Sequence, residues 1–158
     1  MTSTASNRSA LLAAYAGLAL TIAAMFVLFI DRATSNLIAA HIRHGYPDYS
    51  PARINSAATL YLVYLSVLGG LGVLAWLGTI WLIARRRRIA RPIGTALFVA
   101  GTGVALFNLL ITDTSGETGL PTLIGLAGLI PSAAGLIVVI MLWRRTTPHT
   151  TDPEGIRS

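Results

Sequence analysis

The stretch "HIRHGYPD", residues 41–48, sets His41 and His44 three positions apart, with Asp48 just beyond them. Histidines at that spacing can share one side of a helix, and a nearby aspartate can reach the same cation. Zinc sites draw on three or four protein ligands backed by hydrogen-bonding support, and only the histidine pair is secure here. Read as a helix end, the same residues have a simpler role. His41, Arg43 and His44 put positive charge at the negative end of a helix dipole, and Gly45 suits the left-handed residue that closes such ends. His41, His44 and Asp48 are therefore weak metal candidates, and no metal is expected.

The second group with chemical potential lies in apolar surroundings. Gly101, Ala105, Asn108 and Thr112 recur at i, i+4, i+7 and i+11, one face of a helix that carries an asparagine inward. An amide in hydrocarbon needs a partner, either a hydroxyl or carbonyl on a neighbouring helix or the polar head of a ligand. The ligand-binding candidates are Asn108, Thr112, Asp113 and Ser132. The loop "TDTSGETGLPT" mixes Asp113, Glu117, hydroxyls and glycines, but its spacing matches no calcium loop, and it reads as a polar turn closed by Pro121.

The absences narrow the chemistry further. No ionisable residue lies inside an apolar run away from its ends, whereas proton relays and intramembrane hydrolases rely on such groups. There is no H-E-x-x-H, G-x-S-x-G, phosphate loop or dinucleotide glycine fingerprint, and no cysteine for redox or thiolate chemistry. Neither an enzyme nor a cofactor is expected.

The elements that must position these residues are apolar. Of 158 residues, 54% are hydrophobic and 11% charged, against roughly 25% charged in a soluble domain. The expected fold is an all-α membrane protein with four transmembrane helices in an antiparallel up-down bundle. Its spans cover about 10–31, 62–84, 92–112 and 122–143. Residues 1–8 form a cytoplasmic tail, 9–145 a single domain and 146–158 a disordered tail. A cleaved signal peptide is not expected, because Arg8 stands alone before a run much longer than a signal core.

The first loop makes two helices longer than a bilayer requires. Ser50-Pro51 reads as a helix start and His44-Gly45 as a stop, which gives continuous helices over 9–44 and 51–84. A core of ~30 Å needs only about 26 residues even at steep tilt, so both must protrude, bend or break. Matching apolar stripes favour protrusion: Leu37, Ile38, His41 and Ile42 on one helix, Ile54, Ala57, Ala58 and Tyr61 on the other. The two extensions would pair as an outward hairpin over about 32–61. The competing picture lays 33–44 flat on the membrane.

Small residues four apart predict close helix contacts at Ala13, Gly17 and Thr21, at Ser66 and Gly70, at Gly101 and Ala105, and at Gly128 and Ser132. Gly69, Gly70, Gly72 and Pro131 mark expected bends. Tyr61 and Tyr64 are expected at the outer interface, Trp76 and Trp81 towards the inner one.

Charge supplies the orientation. Arg85, Arg86, Arg87, Arg88 and Arg91 lie between the second and third spans, and Arg144 and Arg145 follow the fourth. The positive-inside rule then places both termini in the cytoplasm of a multi-pass inner-membrane protein, with these arginines touching anionic lipid. A nucleic-acid role is not expected from so short a tether. All twelve basic residues are arginine, a composition typical of a bacterial GC-rich gene. Two roles follow. The first is a non-enzymatic accessory or interaction protein that meets a membrane-protein partner or a second copy. The second is a binder or transporter of a small apolar or neutral molecule, lipid or quinone-like, in an intrabundle cavity.

Overall fold

A computed structural model describes residues 2–144; Arg145 and the expected disordered tail lie outside the described residues. The described chain is helical: α1 (Thr2–Ala33), α2 (Leu37–Gly45), α3 (Pro51–Ala84), α4 (Ala90–Leu110) and α5 (Thr122–Trp143). Four of them, all but α2, contain stretches long and apolar enough to cross a membrane.

The ends of α3 show why its limits are sharp. Ser50 accepts the Arg53 N–H at 3.3 Å and Pro51 occupies the first helical position, where no donor is needed. At the other end, Arg86 adopts a left-handed φ of 50°, so that its N–H reaches Ile83 O at 3.0 Å and the Arg87 N–H reaches Leu82 O at 3.1 Å. This is the Schellman closure, made here by arginine where glycine is usual.

The first helix is not the continuous rod expected over 9–44. It stops at Ala33, and Asn36 takes a left-handed φ of 48° before α2 begins. Thr34, Ser35 and Asn36 are three successive residues whose side chains compete with helical backbone bonding. Thr34 Oγ1 donates back to Ile30 O at 2.7 Å, and the Asp31 carboxylate accepts the Leu37 N–H at the start of α2. The excess length predicted from bilayer thickness is thus resolved by a break.

Paired contacts define the packing. Along α1 and α3, Gly17 meets Trp76, Thr21 meets Gly72 and Met25 meets Gly69, so the two helices run in opposite senses. Gly94 with Leu142, Phe98 with Gly135 and Leu109 with Gly125 give the same relation for α4 and α5. α1 also packs along α5, whereas α3 and α4 touch little. Two apolar clusters result. One, at the α3–α4 turn end, joins Ala10 and Ala14 of α1, Ile80, Leu82 and Ile83 of α3, Ala90 of α4, and Val138 and Leu142 of α5. The other, at the α2 end, joins Ile38, Ala39 and Ile42 of α2 to Ile54 and Ala58 of α3. The apolar face of α2 thus turns onto α3 rather than outward.

The small-residue stripes need correction. Gly17, Gly69, Gly125 and Gly135 make the close approaches, while a Cβ on Gly70, Gly101 or Gly128 would meet nothing within 4 Å. Trp76 is no interfacial anchor either, because its indole lies over Gly17 and donates to Thr21 Oγ1 at 3.0 Å. Trp81 is half exposed, with the Arg85 guanidinium 5.5 Å from its ring centroid. Large aliphatic side chains cover the outside, among them Leu60 at 72% exposure and Leu123 at 71%. Such a surface suits hydrocarbon better than water.

Candidate functional site

Between the two clusters the helices line a partly open cavity of about 600 Å³. Its walls come from α1, α3, α4 and α5, and it reaches from Asp31, Leu37 and Leu120 at one end to Thr79, Gly94 and Val138 at the other. Glycines explain why space remains. Gly101 and Gly128 line it with no side chain to fill it, and Pro131 lies within α5, where its missing N–H leaves the Ala127 carbonyl without the usual helical donor. The wall is least continuous between α3 and α4.

The lining is apolar with a few polar atoms. Thr21 Oγ1 donates to Gly17 O at 2.9 Å and accepts from Trp76; Thr79 Oγ1 donates to Ala75 O at 2.8 Å. Thr102 differs. Its buried Oγ1 has no hydrogen-bond partner among the described residues, an arrangement that costs free energy in a dry interior.

The sequence candidates divide between two places. Asn108 and Ser132 line the cavity. The Tyr64 hydroxyl donates to Asn108 Oδ1 at 3.1 Å, bridging α3 and α4 by the kind of neighbouring-helix hydroxyl an amide in hydrocarbon requires. Thr112 and Asp113 lie elsewhere, because α4 ends at Leu110 and the chain turns into a loop in which Thr112 bridges Thr118. The Asp113 carboxylate accepts the Ser115 N–H at 2.8 Å and its hydroxyl at 2.5 Å. Burial pushes the Asp113 pKa up, but the Ser115 bonds, a bond from Tyr46 and the charge of His41 outweigh it and hold it below the ordinary 3.8.

That loop closes over α2. His41 Nε2 donates to Thr118 O at 2.6 Å, Tyr46 pairs with Thr114 at 2.7 Å, and Gly45 lets Ser115 approach. His41 therefore fastens α2 to the α4–α5 loop. Among the described residues no three His, Cys, Asp or Glu side chains gather where they could hold a metal, and His41, His44 and Asp48 form no such group. Arg85, Arg86, Arg87 and Arg88 are exposed at the α3–α4 turn, Arg91 is half-buried on the first turn of α4, and Arg144 ends α5.

Asp31 was missed as a site residue. It is 8% exposed and lies in the cavity wall, although at the end of an apolar run it reads only as a boundary charge. The missing signal was the helix break at 34–36, which carries α2 over it. No protein-family model matches the chain, and no curated protein or solved structure does either, so the site stands on its own geometry.

Proposed function

We propose that the chain crosses the cell inner membrane four times, up and down, with both termini cytoplasmic and the α2–α3 hairpin as an outward cap. We further propose that it binds or carries a small lipid- or quinone-like molecule between its helices. The observation that carries this reading is the cavity of about 600 Å³ lying between two well-packed clusters. Ligand sites are of this size, mostly apolar with few polar groups, and are often found between the helices of bundles. The unpartnered Thr102 hydroxyl adds support, since an occupant with a polar atom would satisfy it. The accessory role, in which the cap meets a partner protein or a second copy, is the other outcome of the test.

Filling the space provides that test. Gly101→Leu and Gly128→Leu each place a side chain where a Cβ meets nothing within 4 Å. Replacing a helical glycine stabilises by roughly 0.5–1 kcal/mol, so the variants should melt no lower than wild type once both are stripped of ligand. Native mass spectrometry from mild detergent should find one small molecule on the wild type and none on either variant. A protein that instead carries a stoichiometric protein partner and no small molecule has the accessory role.

A further inference from the structure

Asp31 carries more than its capping role requires. Its carboxylate receives one donor, the Leu37 N–H, shared at 3.0 Å by both oxygens, and no basic side chain pairs with it among the described residues. A carboxylate offers about four acceptor sites, so most are left over. The basic side chains nearby in the chain are engaged elsewhere. Arg32 donates to Asn55 Oδ1, His41 donates to Thr118 O, and the Arg53 guanidinium sits 4.0 Å from the Tyr49 ring centroid. The N-terminus of α2 offsets part of the charge, but a carboxylate at 8% exposure is costly without a cation beside it.

The cavity's shape limits what else the occupant can be. Its lining on α4 runs from Gly94 to Asn108 and on α3 from Leu65 to Thr79, ~21 Å of helix in each case. A lining of that length suits extended hydrocarbon lying along the helices.

We infer that the occupant is an amphiphile with a cationic nitrogen head, its hydrocarbon along the cavity and its head against Asp31. This deepens the cavity reading and depends on it. The chemistry is hydrocarbon with an ammonium group, and the absence of any basic side chain paired with Asp31 disfavours an anionic head at the same place.

The test uses the full chain in nonionic detergent and chain-matched probes: dodecylamine, dodecanol and dodecyl sulfate. Binding is read from tryptophan fluorescence, Trp76 being in the wall. Dodecylamine should bind about tenfold more tightly than dodecanol, and dodecyl sulfate most weakly. Asp31→Asn keeps an oxygen for the Leu37 N–H. It should weaken dodecylamine about tenfold while leaving dodecanol within about twofold. A capping role alone would move all the probes together or none. Equal binding of amine and alcohol to the wild type, or an unchanged amine preference in Asp31→Asn, overturns the assignment. If Asp31→Asn does not fold, the wild-type order decides by itself. Failure of the cavity reading looks different: no probe binds the wild type, or all bind Gly101→Leu as well as they bind the wild type.

Discussion

Asn108 and Tyr64 form a polar bridge between α3 and α4, and its worth can be measured. Hydrogen bonds between membrane helices average about 0.6 kcal/mol and reach ~2 kcal/mol. Asn108→Ala and Tyr64→Phe should each lower unfolding free energy by that order, and the double variant should cost little more than either single one, a coupling read from a double-mutant cycle. Additive losses would mean that the two side chains act separately. The inward aim of Asn108 was legible in its spacing from Gly101 and Ala105. Its partner was not, because a tyrosine near a span end reads equally well as an interfacial ring. The same spacing carried the face one turn too far, to Thr112, because periodicity alone does not mark where α4 stops. Asp31 was illegible for a related reason: its burial depends on α2, which begins six residues later.

At the scale of elements, the glycines test how well a sequence stripe separates contact from space. Gly17 and Gly70 both belong to small-residue stripes, yet a Cβ on Gly17 would come within 2.2 Å of the Trp76 ring and one on Gly70 would meet nothing within 4 Å. A rigid indole cannot give way cheaply, and overpacking of this kind costs typically 1–3 kcal/mol. Gly17→Ala should therefore lower the melting temperature, whereas Gly70→Ala should raise it slightly through better helix propensity, worth roughly 0.5–1 kcal/mol. Shifts of the same sign would show that the α1–α3 contact is misplaced. Helix starts were easier to read than helix faces. Ser50-Pro51 places the start of α3 through purely local bonding, which spacing and residue type encode. Whether a small face meets a neighbour or an empty volume depends on how four helices converge, and no single stripe records that. The break at Thr34–Asn36 falls between these cases: the competing side chains are visible in the sequence, but the paired apolar stripes on either side argue for one long helix.

For the whole molecule, the decisive asymmetry is electrostatic. The apolar outer surface fits either orientation, and both apolar clusters are closed by aliphatic packing, so nothing in the core chooses a side. In the proposed orientation the arginines choose it. Arg85 to Arg88 are exposed at the α3–α4 turn, and together with Arg8, Arg91, Arg144 and Arg145 they outweigh Arg32, Arg43 and Arg53 at the other ends of the spans. With the four loop arginines neutralised, the two sides come close to balance, and insertion should lose its preference. The substitutions need care at one position. Arg86 has a left-handed backbone, which asparagine tolerates better than most residues, so Arg86→Asn with Arg85→Gln, Arg87→Gln and Arg88→Gln removes the charge without adding strain to the turn. A reporter inserted at Pro47 should be active only in its external form in the parent chain and in both forms in the quadruple variant, at comparable protein levels. External activity unchanged in the variant would mean that orientation is set by the first span or by a partner during insertion. Purely cytoplasmic activity in the parent would invert the topology and put Asp31 with its end of the cavity on the cytoplasmic side.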